Sequence, residues 1–372
     1  MIAERRAGPV VWAGIIAATI VLLMLLEHMM WLAIPFLFGT ILYYILLGPM
    51  QRLIRLGVGQ DLAALTVGGG FFALLSLVVV AAFSWSDSAA DSWQQMIGHY
   101  LEGGVAFVRN TMHLLEAKFP VLEQIHLTSV VNKRFKTFTD NFAQQHLAGI
   151  VVATAGWLPS LLLAPFLTYF FLRDGAKFEK FLARAVPNAF FERTLFLLHE
   201  VDQTARRYFV GLIKLTIIDT IMLAVGLWAI GVSSPLALGL FSALLAWVPF
   251  VGSILGCVMV VVVASTDAPA DPLIAYSAIG VFIAVRLLDD FVFMPMTLGR
   301  SLQIHPLMTV VMIFAGGTVA GVAGLMLVLP ILGVVMVIGE TLGVLITDPR
   351  LRARHRNAMA LRRKQASVDL VD

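Results

Sequence analysis

The chain predicts an all-α protein built into a membrane, and three observations carry that prediction. Of its 372 residues, 59% are hydrophobic and only 13% are charged, against roughly 45–50% and 25% in soluble domains. Mean hydropathy is +0.90. The apolar residues come in continuous runs rather than in the alternation of a barrel strand, so the spanning unit is a helix of about 20 residues. About eight apolar segments, including re-entrant hairpins, plus an extracytoplasmic helical insert account for the length.

In chain order, residues 1–85 hold the N-terminal transmembrane segments, at roughly 9–27, 31–49 and 62–85. The first, PVVWAGIIAATIVLLMLLEHMMW, follows Glu4, Arg5 and Arg6. Its apolar core exceeds a signal-peptide h-region and a second run follows at once, so it reads as a retained span. Residues 86–148 are mixed polar and apolar, with Trp, Phe and Leu at helical spacing and a single Pro120, and predict an amphipathic helical domain outside the membrane. A further span occupies 149–172. Residues 173–208 carry Phe178, Phe181, Leu182, Leu195 and Leu198 on one face, which suits cytoplasmic amphipathic helices lying on the membrane surface or on neighbouring subunits. The region 209–346 contains four apolar runs, at 209–231, 235–265, 272–294 and 305–346, and 347–372 is a basic cytoplasmic tail.

Two of the late runs are the wrong length. As straight helices at 1.5 Å per residue, 235–265 would extend about 46 Å and 305–346 about 63 Å, against a bilayer core of about 30 Å. Both must break or fold back. Each carries the residues to do so: WVPFVGSILG supplies Pro249, Gly252 and Gly256, and AGGTVAGVAG supplies Gly316, Gly317, Gly321 and Gly324. A span followed by a broken run occurs twice after residue 209, a pattern akin to the paired repeats of transporters.

Charge bias assigns the sides. Arg5 and Arg6, Arg52 and Arg55, the stretch RDGAKFEKFLAR and the tail RLRARHRNAMALRRK mark the cytoplasmic face, leaving 86–148 outside and both termini cytoplasmic. Parity alone allows 235–265 as one long crossing or as a re-entrant hairpin; the loop STDAPAD has two acids and no Lys or Arg, which favours the outer side and with it the hairpin.

Composition and motifs exclude several functions. The net charge of +3 is distributed in short loops and the tail, where it sets topology and forms no nucleic-acid surface. Cys257 is the sole cysteine, so there is no intrachain disulfide and no cysteine metal cage. The chain lacks a phosphate loop, HEVDQ at His199 lacks the second His of a zinc helix, and there is no G-x-S-x-G elbow. The expectation is a protein that is not an enzyme and has no cofactor, apart from a coupling Na+ or H+.

Candidate site residues fall at the breaks and at the few intramembrane charges. Interrupted helices free backbone groups that only protein or a polar cavity can satisfy, and in transporters such ends bind cargo. Pro249 and Gly252 fit that role or an ordinary turn. Gly316, Gly317 and Gly321 fit it or close helix packing. In RLLDDFVFMPMTLGRSLQIHP, Arg286 lies three and four residues from Asp289 and Asp290, so one helical face brings them together. A lone Asp at a helix centre costs about 2.5–3.5 kcal/mol, so depth decides between a compensated functional site and a solvated interfacial one with Pro295 and Gly299 in a loop. Asp219 lies more than two turns inside its run, whereas Lys214 can snorkel. His305, before Pro306, suits a proton-coupled step or a loop cap.

FLRDG, WVPFVGSILG, LLDDFVFMPMTLGRSLQIHPL and AGGTVAGVAGLMLVLP, in that order, resemble the autoinducer-2 exporter family, the PerM-like permeases of bacteria. The likeness covers nearly the whole chain. It implies an eight-segment protein of the inner membrane that exports a small furanosyl signalling molecule or, in some members, exchanges sodium for protons. It also implies a homo-oligomer, a pentamer, whose re-entrant hairpins move against a fixed scaffold. By position the family's hairpin Pro and Gly fall on Pro249 and Gly252, its acidic stretch on Asp289, Asp290 and Pro295, and its His-Pro on His305 and Pro306. The chain departs from the family in having LLAWVP where Asn often precedes the Pro, and Asp290 where Asn is common. The first change removes a polar side chain and the second adds a negative charge, which favours a cation-coupled role.

Three functions are therefore expected in turn: export of a small polar metabolite, sodium/proton exchange through Asp219, Asp289 or Asp290, and a membrane scaffold whose 86–148 domain holds an envelope partner. Cargo and lipid, with further copies of the chain, are the expected partners; nucleic acid is not.

Overall fold

The computed structural model describes residues 9–84, 89–119, 147–184, 191–297 and 306–347, and all its regular structure is helical. Helices α1 (Pro9–His28) and α2 (Met30–Arg55) are followed by α3 (Gln60–Ala64), a π-helical turn (Leu65–Gly69) and α4 (Gly70–Ser84). Then come α5 (Ala89–Lys118), α6 (Leu147–Arg184), α7 (Phe191–Ala229), α8 (Pro235–Leu245), α9 (Val251–Asp267) and α10 (Pro272–Leu288). A second π-helical turn (Asp289–Phe293) leads into α11 (Met294–Thr297), and α12 (Pro306–Thr347) closes the described chain. Four stretches are long and apolar enough to cross a bilayer: Leu32–Arg55, Gln60–Leu77, Thr194–Ala229 and Leu307–Gly339. Trp12–Leu25, Pro235–Leu245 and Val251–Asp267 are shorter apolar helices.

Two helices run through expected segment boundaries. Helix α6 runs unbroken through FLRDG, and α7 runs unbroken through 208–209. A change of side-chain character at 172 and 208 is thus a change of surroundings along a rod, because Leu, Phe, Lys, Glu and Arg can all extend a helix. Within 86–148 the described part is mainly the helix α5; residues 120–146, Pro120 among them, lie outside the described residues, as do Arg5, Arg6, His305 and the tail from 348.

The helices group into two compact units. One comprises Met1–His28, Lys177–Arg207 and Leu302–Asp372; the other comprises Met29–Ala176 and Tyr208–Ser301. In the first, α1 packs along α12, with Ile15, Thr19 and Leu23 buried on α1 and Met312, Val328 and Leu332 buried on α12. Helix α12 is two arms. Ala320 and Gly321 leave helical geometry, with Gly321 at φ 56°, ψ −139°, a region open essentially to glycine. The arms then lie antiparallel and close: a Cβ on Gly316 would stand 2.7 Å from the Gly324 carbonyl oxygen, and one on Gly317 2.9 Å from Leu325.

In the second unit the main core joins Leu223 and Leu227 of α7, Leu238 of α8, Val260, Val263 and Ala264 of α9, and Ala275, Ala278 and Phe282 of α10. Helix α5 leans on this core through Tyr100 and Phe107, and a Cβ on its Gly103 would collide with Thr266 of α9. Asn110 of α5 donates to the Pro269 carbonyl at 3.0 Å, and Thr111 shares a 2.9 Å bond with Tyr276. A satellite core of Leu46, Met50, Ala63, Ala64 and Leu172 ties α2, α3 and α6 together. Outside these cores the surface stays apolar: Leu77, Trp228 and Ile254 are 66%, 73% and 65% exposed. Large side chains of that kind facing outward along a helix are what a lipid environment requires.

Candidate functional site

The run expected to break at 235–265 does so at residues 246–250, between α8 and α9. Pro235 at its first turn starts α8 with the fixed φ a helix wants. Behind it, Ser233 donates from both its backbone N–H and its hydroxyl to the Asp267 carboxylate, at 2.7 and 2.8 Å, clasping the open end of the hairpin shut. At the closed end Phe250 takes φ 64°, ψ −54°, a strained position for a residue with a Cβ. Gly252 follows because a Cβ there would run into the Leu245 carbonyl. Gly256 faces Ser242 across the hairpin and Phe282 of α10. Trp247, within the turn, donates its indole N–H to the Thr216 hydroxyl on α7 at 2.8 Å.

Glycine also sets how α8 meets α7. A Cβ on Gly239 would stand 2.6 Å from the Thr220 carbonyl oxygen, so the two backbones lie almost in contact. That approach places Ser242, nearly one turn beyond Gly239, against the α7 face that carries Asp219. Asp219, Leu223, Ser242, Ala243, Phe282, Val285 and Arg286 line a small cleft.

Three charges meet beside this cleft. Arg286 Nη1 lies 3.0 Å from Asp289 Oδ2 and 3.8 Å from Asp219 Oδ2. The side chains of Asp219 and Asp289 are 7% and 4% exposed, and that of Arg286 is 28% exposed. One guanidinium therefore faces two buried carboxylates. The second oxygen of each, Oδ1 of Asp219 and Oδ1 of Asp289, is buried with no hydrogen-bond partner, and so is Ser242 Oγ. A buried carboxylate that lacks partners is costly, and orphaned buried polar atoms are rare enough to need a reason.

The second π-helical turn explains which of the adjacent acids joins. It begins at Asp289 and widens the helix by one residue, a feature frequent at functional sites. Asp289 points inward and is buried, while Asp290 is exposed. Of the other sequence candidates, Pro249 and Gly252 belong to the hairpin turn, Pro295 is exposed in α11, and Lys214 is exposed on α7. Gly316, Gly317 and Gly321 form the hairpin of the other unit, and His305 lies outside the described residues. Ser242 and Trp247 carry no signal in the sequence that would mark them. A serine in an apolar run is an ordinary residue, and only its missing partner singles it out. Trp247 supplies a polar N–H within the turn. Among the described residues no cluster of three or more His, Cys, Asp and Glu side chains is arranged to hold a metal ion.

Apolar helices around a buried, incompletely neutralised charge cluster, set against a broken helix, are the construction of a membrane transporter. The chain belongs to the AI-2E transport family: the model described as AI-2E family transporter matches residues 14–342. It is 24% identical over 305 residues to "Putative transport protein YueF" of Bacillus subtilis (strain 168), with 81% of each chain covered. A second relative in that organism, "Putative transport protein YrrI", is 27% identical over 220 residues, covering 58% of this chain and 60% of the relative. "Putative transport protein MT0215" of Mycobacterium tuberculosis (strain CDC 1551 / Oshkosh) is 26% identical over 327 residues, covering 85% and 84%. The family that the four ordered motifs resemble is thus the family to which the chain belongs.

Proposed function

We propose that this protein is a secondary exporter of a small polar metabolite, of the autoinducer-2 type, that works by moving the α8–α9 hairpin. Asp219, Arg286 and Asp289 are the centre at which cargo or a coupling ion engages. The observation that carries this reading is the set of three partnerless buried oxygens beside one shared guanidinium, all next to a helix break. A structural scaffold gains nothing from keeping such a cluster, since replacing buried charge by apolar side chains is often neutral or stabilising.

The hairpin supports the mechanism. Its first arm, α8, is about 17 Å long at 1.5 Å per residue, too short to cross a core of about 30 Å. The first arm of α12, 306–319, is about 21 Å long by the same measure. Both pairs are read as re-entrant in a bacterial inner membrane, with the termini cytoplasmic by charge bias, and the exposed apolar surface serves lipid and further copies of the chain in a homo-oligomer.

Sodium/proton exchange is the second reading, and a specific feature favours it: apart from Asp219, Ser242 and Arg286, the residues lining the cleft are apolar, which suits an ion better than a polyol. Reconstituted vesicles separate the two. Efflux of a labelled furanosyl diol, lost in Asp289→Asn, supports export; a sodium-triggered proton movement without solute flux, lost in the same variant, supports exchange. If Asp219→Asn, Asp289→Asn and Gly252→Leu all leave both fluxes at the wild-type rate, the transport site is elsewhere.

A further inference from the structure

We propose that α5 is a strap on the open end of the α8–α9 hairpin. It fixes the C-terminal half of α9 and the α9–α10 loop, so the hairpin moves by swinging its turn about that root. Asn110 and Thr111 are the positioning residues of the strap. The consequence for transport rests on the carrier reading given above, but the strap itself is argued from packing.

One face of α5 makes the contact. Tyr100, Gly103, Phe107 and the pair Asn110 and Thr111 recur at spacings of three and four, which places them on a single stripe about 16 Å long. A Cβ on Gly103 would stand 2.8 Å from the Thr266 Cα, and one on Gly104 3.4 Å from Val262 Cγ2, so α5 and α9 approach closely there. Close packing of smooth surfaces still allows sliding; the polar end of the stripe sets the register. Asn110 donates to the Pro269 carbonyl in the α9–α10 loop at 3.0 Å, and the Thr111 hydroxyl shares a 2.9 Å bond with the Tyr276 phenol on α10. The Phe107 ring meets Tyr276 edge to face at 5.5 Å. From the α7–α8 loop Ser233 holds Asp267, and Asp271 caps α10 at the Leu273 N–H. Thr266, Asp267, Pro269 and Asp271 are therefore each tied down.

The turn end of the hairpin is built otherwise. Along α9, Val260, Val263, Ala264, Ser265 and Thr266 are buried, whereas Ile254, Leu255 and Val258, nearer the turn, are exposed. Helix α8 exposes Leu240, Phe241 and Leu244 on its way to the turn. Gly239, where α8 presses on α7, lies about one turn from the start of α8 and so belongs to the root. The turn itself holds the strained Phe250 and is tied to α7 by the Trp247 to Thr216 bond. Local opening concentrates where burial and contacts are fewest. An element tied at one end and loose at the other swings about the tied end.

The native thiol supplies the first test. Cys257 is the sole cysteine and is half-buried in α9 on the turn side of Val260. Cys257→Ser with Val262→Cys moves the thiol beneath Gly104. In the purified full chain in detergent, a small maleimide should label Cys257 faster than the thiol at position 262. Adding Asn110→Ala and Thr111→Val should speed labelling at 262 about tenfold, the effect of losing two hydrogen bonds, and leave the Cys257 rate unchanged. Thermal unfolding checks that each variant is folded. Labelling at 262 as fast as at Cys257, or indifferent to the loss of both bonds, overturns the proposal. Cross-links supply the second test, both with Cys257→Ser. A disulfide between Gly104→Cys and Val262→Cys should leave vesicle flux unchanged from the reduced protein. Joining Thr216→Cys to Trp247→Cys with a short bifunctional thiol reagent should stop it. Flux stopped by the first link overturns the strap. Absence of flux in the reduced proteins counts against the carrier reading alone, and the labelling rates then decide the strap.

Discussion

The two hairpins use one backbone device for two ends. In α8–α9 and in the arms of α12, glycine lets antiparallel helices meet backbone to backbone, and a residue at positive φ turns the chain. The α12 hairpin turns at Gly321, which accepts that geometry freely, and its hydroxyl at Thr318 bonds its own helix at Ala315. The α8–α9 hairpin turns at Phe250, which does not accept it freely, and it brings a partnerless serine to a charged cleft. Strain and unsatisfied polarity coincide in one hairpin, where they are tolerable only if function needs them. The other hairpin is built for packing.

The sharpest way to break that contrast is to remove the charge balance. Arg286→Ala strands two buried carboxylates and should cost about 3–5 kcal/mol of stability, the usual penalty for half of a buried pair. Thermal unfolding in detergent reads this, and adding Asp219→Asn and Asp289→Asn should restore most of the loss.

Glycine substitutions test the shared device next. Gly252→Ala and Gly324→Ala each press a Cβ into an opposing carbonyl and should destabilise by about 1–3 kcal/mol through overpacking. The two should differ in function: vesicle flux falls with Gly252→Ala and holds with Gly324→Ala. Equal loss of flux in both would end the distinction between a chemical and a packing hairpin.

Trp247→Phe removes the N–H bonded to Thr216 and should cost about 1 kcal/mol, the net worth of one hydrogen bond. Its signature is a faster flux, as the turn loses its tie to α7. The smallest effect belongs to Asp290→Asn. Asp290 is exposed, so stability should move by no more than about 0.5 kcal/mol, and vesicle flux should survive, whereas Asp289→Asn abolishes it.

Much of this was legible in the chain, for local reasons. Continuous apolar runs without alternation can satisfy their backbone in lipid only as helices, so composition alone decided the class. Runs of about 46 and 63 Å had to turn, and Pro249, Gly252 and Gly321 marked where. The three-residue spacing of Arg286 and Asp289 follows from the helical repeat, and the ordered motifs carried the family.

Packing decided the rest. Asp219 reaches Arg286 because α7 and α10 pack closely, with Gly226 of α7 against Val281 of α10, and their shared core sets the register. The π-helical turn picks Asp289 over its neighbour, and the absence of a partner singles out Ser242. A sequence expresses what lies within one turn of a residue. Which side chains from separate helices share a cleft, and which polar atoms go unsatisfied there, depends on how closely backbones approach, and that exists only once the helices are packed.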